Sequence, residues 1–430
     1  MTGLSSPESR VPSPGFSAAD HVMMARALRL AERGLSTTQP NPRVGCVIER
    51  DGEIIGEGWH QRAGEPHAEV FALRAAGERA RGATAYVTLE PCSHHGRTPP
   101  CADALIEAGI VRVVTASEDP NPKVVGAGLG RLRDAGMAVE QGLMRDAARE
   151  LNRGFFSRFE RGRPWVRVKL AMSLDGRTAL ANGESKWITG EAARADVQRW
   201  RARSSAILTG AGTARVDDPR LTVRLPRLEP LSHRERRRVA PSAQCWGEGS
   251  TGDNTTTEPS PGPSGHHGAV GHGPRPYREG EGKSFKPLRV VLDARLDALP
   301  PGAHLLDSSA PTLALHSPDA KPVDDHYARV ELAAAECDAK GRFDLDAVLK
   351  LLAARGVNEL QVEAGPTLCG ALLDADLVDE LLLYVAPVLL GDSARPLLGL
   401  PPLASMADRR DWRVVDRRAI GQDQRLLLRP

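Results

Sequence analysis

Pro66-His67-Ala68-Glu69, Glu90-Pro91-Cys92 and Cys101 supply one imidazole, two thiols and a carboxylate in one short stretch of chain. One histidine and two cysteines are three ligands suited to Zn²⁺, and three protein ligands leave a fourth position for water, as in catalytic rather than structural sites. Zinc lowers the pKa of such a water towards ~7. Glu69 stands two residues after His67, so its carboxylate can lie beside the metal without binding it. It can take a proton from the water and pass it to a ring nitrogen and to leaving ammonia. The competing reading is a structural zinc knuckle, with His94 or His95 as fourth ligand. Those two histidines can equally contact substrate or solvate their loop.

The pattern around these residues alternates. Helical apolar spacing runs over 18–33 and stops at Gly34. Val44–Ile48 and Glu53–Gly58 flank Asp51-Gly52, a hairpin signal. Helices are expected at His67–Ala80, Pro99–Ala108, Leu129–Ala135 and Arg145–Phe159. Strands are expected at Ala83–Leu89, Ile110–Ala116 and Ala138–Glu140. His67 thus opens a helix, Cys92 follows a strand and Cys101 begins another helix. A second series starts at Pro164, after the break Arg161-Gly162-Arg163. It has strands at Trp165–Met172, Ala206–Thr209, Leu288–Leu292, Thr312–Leu315, Glu359–Glu363 and Glu380–Val385. Helices are expected at Gly190–Arg203, Leu345–Arg355 and Thr367–Ala375. The alternation predicts two α/β domains with largely parallel sheets.

Composition bounds the rest. A chain of 430 residues exceeds one ordinary domain of ~150 residues. Fifty-seven Lys and Arg against 55 Asp and Glu leave a net charge of +2, which gives no argument for nucleic acid or membrane binding. The longest apolar run, Leu381–Leu390, is half of the ~20 residues of a membrane span. No secretory signal is visible, so a cytoplasmic protein is expected. Six cysteines in a chain of this length do not suggest a disulfide scaffold. Residues 1–17 read as a disordered leader. Residues 228–286, rich in Gly, Pro, Ser, Thr and charge, read as a low-complexity insertion that cannot bury enough apolar surface to order itself.

The second series has its own candidates. Glu363-Ala364-Gly365-Pro366-Thr367-Leu368 joins a strand to a helix, where backbone N–H groups and the Thr367 hydroxyl can meet a phosphate. Arg201 and Arg224 offer planar forks for another phosphate. Arg201 can also be a solvated helix residue, Arg224 a surface residue and Trp187 core packing. Asp175 and Lys169 are candidate proton relays, though Asp175-Gly176 also reads as a turn and Lys169 as a partner of a carboxylate. Gly126–Gly130 lacks the Rossmann spacing and reads as a loop, with a substrate contact as the alternative. Arg234–Arg238 and His266, His267 and His272 read as solvated parts of the insertion. Cys46, Cys245, Cys337 and Cys369 read as small core residues or free thiols.

The His-x-Glu and Pro-Cys pattern is similar to that of zinc nucleobase deaminases, with one departure: eight residues, not two, separate Cys92 from Cys101. The intervening Ser93–Pro100 loop resembles that of the riboflavin-pathway pyrimidine deaminases. So do Asn41-Pro42-Arg43-Val44-Gly45, Gly56-Glu57-Gly58-Trp59-His60 and Gly64-Glu65-Pro66-His67. Lys169–Arg177, Gly183–Thr189, Thr209–Thr213, Asp217–Arg224 and Glu363–Leu368 resemble the reductase of the same enzymes. With both halves in this order, the chain is similar to the bifunctional deaminase/reductase family of riboflavin biosynthesis.

The resemblance implies a cytidine-deaminase-like three-layer domain over 18–160 and a dihydrofolate-reductase-like domain over 164–430 that carries the insertion. It implies hydrolytic deamination of 2,5-diamino-6-(5-phosphoribosylamino)pyrimidin-4-one. NADPH-dependent reduction then gives 5-amino-6-(5-phosphoribitylamino)uracil. One Zn²⁺ would be held by His67, Cys92 and Cys101, with Glu69 catalytic. Asn41 and His60 would meet the pyrimidine, although Asn41 before Pro42 can also be a turn residue. Ala171, Trp187, Thr213, Asp217 and the turn Gly365, Pro366, Thr367, Leu368, Cys369, Gly370 and Ala371 would contact NADPH. Ser185, Arg201, Leu221, Arg224 and Glu363 would contact the sugar-phosphate substrate. A dimer or tetramer is a further expectation from the family.

Overall fold

The computed structural model describes residues 15–94, 99–122, 124–224, 285–322 and 324–430. The expected leader up to residue 14, His95, and the insertion from 228 to 284 with Arg234–Arg238, Cys245, His266, His267 and His272 lie outside these residues. Phe16 and Ser17, assigned to the leader, belong to the fold. Phe16 packs on the core, and Ser17 forms a capping box with Asp20 that starts α1 (Ala18–Ala31).

The first sheet begins with the hairpin β1 (Gly45–Arg50) and β2 (Glu53–Trp59). Asp51 and Gly52 between them both have positive φ, 53° and 82°, as a tight two-residue turn requires. Then follow α2 (Ala68–Ala76), β3 (Thr84–Val87), α3 (Cys101–Glu107), β4 (Arg112–Thr115), α4 (Ala127–Asp134) and β5 (Ala138–Gln141). The order is β2-β1-β3-β4-β5. Its β1 runs antiparallel to both neighbours and β3, β4 and β5 run parallel, so the sheet is mixed rather than largely parallel. Strand alternation builds two cores on its faces. Cys46 and Ile48 face the α2 and α3 side with Ala68, Ala72 and Leu105. Val47 faces Met24 and Ala27 of α1 on the other.

The single helix expected at Arg145–Phe159 is two, α5 (Arg145–Leu151) and α6 (Arg153–Arg161). Asn152 breaks it. Its side chain accepts from the Arg43 N–H at 2.8 Å and donates to the Arg43 carbonyl at 2.9 Å, a local alternative to helical bonding.

The second sheet has nine strands. They are drawn from β6 (Trp165–Met172), β8 (Ala206–Gly210), β9 (Leu288–Leu292), β10 (Thr312–His316), β11 (Glu331–Ala334), β12 (Glu359–Val362), β13 (Glu380–Val385), β15 (Arg413–Ile420) and β16 (Asp423–Arg429). β7 (Arg177–Ala179) and β14 (Arg395–Pro396) form a separate ribbon. The order β11-β10-β9-β8-β12-β6-β13 is parallel throughout, and β16 and β15 close the edge antiparallel. The helices are α7 (Glu191–Arg203), α8 (Ala211–Asp217), α9 (Leu345–Ala354) and α10 (Pro366–Asp374). Strands β8, β9 and β10 carry buried apolar residues on both faces, as in a covered parallel sheet, whereas β6 and β12 are apolar on one face and carry Arg167, Lys169, Glu359 and Gln361 on the other.

A buried polar seam joins the two sheets. Arg43 donates to Glu359 of β12 at 2.7 Å, with side chains only 4% and 0% exposed. Glu359 also takes Arg167 at 2.9 Å and Arg203 at 2.8 Å. Asn358 donates to the Gln39 side chain and the Pro40 carbonyl, each at 2.8 Å. Arg429 pairs with Glu150 of α5. Buried charges are tolerated only when paired in this way.

Candidate functional site

The first cluster sits where two helices begin. His67 is the N-cap of α2 and Cys101 the first residue of α3, while Cys92 ends the segment after β3. Gly58 lets α2 lie close on β2: a Cβ there would come within 2.2 Å of the Ala68 carbonyl. His67 Nδ1 lies 3.2 Å from Cys101 Sγ and 3.5 Å from Cys92 Sγ. All three ligand atoms lie within 4.8 Å of one another. Beside them Glu69 is 3% exposed, and its Oε2 has no hydrogen-bond partner. Burial pushes its pKa up to about 6. The Cys101 thiol, with help from His67, holds Cys92 well below the usual thiol range, so the cluster already favours a thiolate. One nitrogen, two sulfurs and a buried carboxylate with one oxygen free fit a catalytic zinc.

His60 and Asn41 join this cluster. The His60 ring meets the His67 ring edge-on, with centroids 5.3 Å apart. Burial lowers the His60 pKa to about 4, so it is neutral at pH 7. With Nδ1 donating to the Pro66 carbonyl at 3.2 Å, Nε2 is left to accept from Asn41 Nδ2 at 3.1 Å. The Asn41 carbonyl then remains for a ligand. His94 is exposed.

Glu90 is a residue that sequence reasoning missed. It is buried and accepts from the backbone N–H groups of Asp119, Gly126, Gly128 and Leu129, at 2.9 to 3.3 Å. The bonds pin the start of α4 against the segment that carries Cys92. Gly126–Gly130, expected as a loop, is therefore the opening of this helix, with Gly126 at φ 74°. A Cβ on Gly128 would meet the Pro91 carbonyl at 1.9 Å, so the glycine run was the available signal.

The second cluster lies at the C-terminal ends of parallel strands, the usual ligand edge of such sheets. After β12, Glu363 takes Arg201 Nε and Nη2, both at 2.7 Å, and Arg201 Nη1 reaches the Thr222 carbonyl at 3.0 Å. The fork expected for a phosphate is thus occupied. Arg224 is exposed, and its backbone N–H donates to Gln198 at 2.9 Å. Burial and the nearby charges of Arg201 and Arg220 depress its pKa. Leu221 is buried at φ 47°, an uncommon conformation for a leucine. Ser185 is exposed.

Gly365 is the N-cap of α10, and its N–H donates to Thr213 Oγ1 at 3.1 Å, so α8 and α10 meet there. Thr367, Leu368 and Ala371 line a cavity at this edge, whereas Cys369 and Gly370 face the core. Ala171 is half-buried in β6, and Asp217 ends α8 with Lys186 near it. Trp187 is 71% exposed, which excludes core packing; Arg194 stacks over its ring at 4.5 Å. Burial lowers the Lys169 pKa, opposed by Glu363. Asp175 accepts from the N–H groups of Leu390 and Gly391 and ties a turn.

Among the described residues no helix is long and apolar enough to cross a membrane. The cytidine and deoxycytidylate deaminase zinc-binding region matches residues 17–117, and the RibD C-terminal domain matches residues 164–426. The riboflavin biosynthesis protein RibD of Escherichia coli is 46% identical over 414 residues, covering 94% of this chain and 97% of its own. That of Haemophilus influenzae is 44% identical over 416 residues, covering 96% and 98%. Among solved structures, Acinetobacter baumannii RibD superposes with a TM-score of 0.78 at 41% identity, covering 96% of this chain and 99% of that one. The Thermotoga maritima diaminohydroxyphosphoribosylaminopyrimidine deaminase/5-amino-6-(5-phosphoribosylamino)uracil reductase does so at 0.73 and 30%, with the same coverage. The chain belongs to the RibD family, the bifunctional enzymes of riboflavin biosynthesis that join a zinc-dependent deaminase domain to a reductase domain.

Proposed function

We propose that this chain deaminates 2,5-diamino-6-(5-phosphoribosylamino)pyrimidin-4-one in a domain over 18–160. A domain over 164–430 then reduces the ribose with NADPH to the ribityl chain. The observation that carries the reading is Glu69, buried with its Oε2 unpartnered beside His67, Cys92 and Cys101. These three would hold zinc, which when bound supplies a water activated at neutral pH. Glu69 Oε2 accepts one proton of that water and gives it to the ring nitrogen, then carries the second, released as the added hydroxyl becomes a carbonyl, to the departing amino group. A pKa of about 6 suits a group that must both take and give a proton near neutrality. Neutral His60 holds Asn41, whose carbonyl and remaining N–H read the pyrimidine edge.

In the second site Thr367, at the head of α10, offers its backbone N–H and hydroxyl as donors to a pyrophosphate. Thr213 fixes the turn, and Trp187, Ala171 and Asp217 flank the dinucleotide. NADPH, when bound, supplies the hydride. Arg224 takes the sugar phosphate, with Ser185 and Leu221 along the chain, and Arg201 holds Glu363 towards the sugar. Free cysteines, two of them metal ligands, suit the reducing cytoplasm. Exposed Leu389, Leu403 and Met406 are offered as a surface for a dimer or tetramer, read by light scattering.

The test is incubation with the diaminopyrimidine phosphoribosyl substrate. Ammonia release without NADPH, then NADPH oxidation on its addition, is the expected result. Oxidation with no prior ammonia would sink the order of steps, and no ammonia at all would sink the deaminase assignment.

A further inference from the structure

Residues 39–44 carry Asn41 and form neither helix nor strand. The Val44 carbonyl accepts the His60 N–H at 2.9 Å, so the same segment also fixes His60. Irregular backbone keeps its shape through whatever partners its polar groups find. Within the segment Asn41 has one backbone bond, from its N–H to the Thr38 carbonyl at 2.7 Å.

Much of the remaining hold comes from the reductase half. Asn358 is buried at the head of β12 and gives both N–H bonds of its amide to this segment, one to Gln39 Oε1 and one to the Pro40 carbonyl. Its own Oδ1 meets no donor, so the side chain is committed to that one contact. Gln39 Nε2 donates in turn to the Arg203 carbonyl at 3.4 Å. On the other side of Asn41, Arg43 Nη1 donates to Glu359 and to the Leu151 carbonyl, and Nη2 to the carbonyls of Leu35 at 3.1 Å and Arg203 at 3.3 Å. Glu359 is a fixed post, because Arg167 and Arg203 hold its second oxygen. A Cβ on Gly154 would come within 2.6 Å of the Asn358 carbonyl, so α6 is packed directly onto the same point.

We propose that Asn358 and Glu359, two residues of the reductase half, are positioning residues for the deamination: they hold Asn41 and His60 where the pyrimidine ring is read. The inference rests on the reading that Asn41 meets the pyrimidine. A seam that only joined two domains could close on any face of the first sheet, whereas this one closes on both sides of Asn41. A positioning group displaced by ~1 Å can cost about 100-fold in rate. Strand β12 thus serves both reactions. Its first residue steadies the first site, and Glu363, just past its last, stands in the second. The zinc ligands hang on α2, α3 and the segment after β3, outside this grip.

The test uses the full-length chain. Asn358→Ala removes both donors and leaves room for water, and Gln39→Ala removes one acceptor from the opposite side of the seam. KM for the diaminopyrimidine substrate should rise about 5- to 50-fold in the first and less in the second, the range expected for two buried hydrogen bonds and for one. Ammonia release should lose less in kcat than in KM, and zinc content should stay at the parent's level. The double variant should lose no more than Asn358→Ala alone, since Gln39 acts through that residue. Reduction of the deaminated pyrimidine with NADPH should stay within twofold. A folded Asn358→Ala chain whose KM for deamination is within twofold of the parent overturns the proposal. So does an equal loss in both reactions, which a merely structural seam would give. If Asn358→Ala does not fold, Gln39→Ala decides by the same measures. Asn41→Ala separates the proposal from the reading beneath it. If that change leaves KM for deamination where it was, the pyrimidine contact fails and the positioning with it. If it raises KM while Asn358→Ala does not, the positioning alone fails.

Discussion

Glu69 and Glu363 are carboxylates drawn largely out of water, one in each half, and their surroundings push them in opposite directions. Burial raises Glu69 to about 6, and its Oε2 meets no donor. Burial also acts to raise Glu363, but the charge and two bonds of Arg201 outweigh it and hold the group at about 2. Partner count sets the role. A carboxylate left alone can exchange a proton, whereas one in an arginine fork is a fixed charge that orients what lies next to it. Both sites also begin at helix heads, α2 and α3 in the first and α10 in the second, where backbone donors and the helix dipole favour anions.

The largest effect should come from Glu69→Gln, which keeps the shape and removes the proton carrier. Ammonia release should fall by about 10²- to 10⁴-fold, while NADPH oxidation with the deaminated pyrimidine stays as it was. An equal loss in both assays would mean that Glu69 supports the fold rather than the chemistry. Arg201→Ala comes next. It leaves Glu363 charged in a place where the paired side chains were only 10% and 13% exposed, so about 3–5 kcal/mol of stability should go. Replacing both partners with leucine should restore much of the melting temperature but none of the reductase activity. A double variant as unstable as the single one would show that the pair is not what holds the site together.

What sequence could and could not reveal follows the same division. His67, Glu69, Cys92 and Cys101 were legible because metal ligation demands particular residue types at the starts of elements. The apolar strands and the Asp51-Gly52 hairpin were legible because their signals are local. Asn152 was not: its bonds to Arg43 cross 109 positions and broke a helix that periodicity alone would continue. Arg201 was read as free because its partner lies 162 positions away. The edge strand β15 was missed, since a half-buried strand rich in Arg and Asp lacks a long apolar run, and its neighbour β16 was missed with it, its apolar run being only Leu426–Leu428. Glu90 looked like a neighbour of Cys92, and only the fold brings it four backbone donors.

Acid should separate the two halves more gently. Glu363 and Glu380 are held near 2, Glu380 because Arg153, Arg167 and Arg429 overcome its burial, against an ordinary value of 4.5. Their folded pKa lies below the unfolded one, so the stability they contribute is full above about 4.5 and drains as pH falls towards 2. On the order of 3 kcal/mol per group is at stake. Urea midpoints of the full chain between pH 5 and 2.5 should fall steeply, and Glu363→Gln should flatten the slope. An unchanged slope would mean that the arginine fork does not hold that proton off.

The smallest expected effect probes the head of α10. Thr213→Val keeps the volume of the side chain and removes the oxygen that accepts the Gly365 N–H at 3.1 Å. One ordinary hydrogen bond is worth about 1 kcal/mol, so KM for NADPH should rise about fivefold with kcat nearly unchanged. Ammonia release should not move, because the Thr213 hydroxyl is bonded at Gly365, within the second sheet's domain. Thr213→Ser, which returns the oxygen, should restore KM. If valine instead lowered KM, the freed Gly365 N–H would be the better phosphate donor, and the hydroxyl would be a competitor for that donor rather than the brace of the turn.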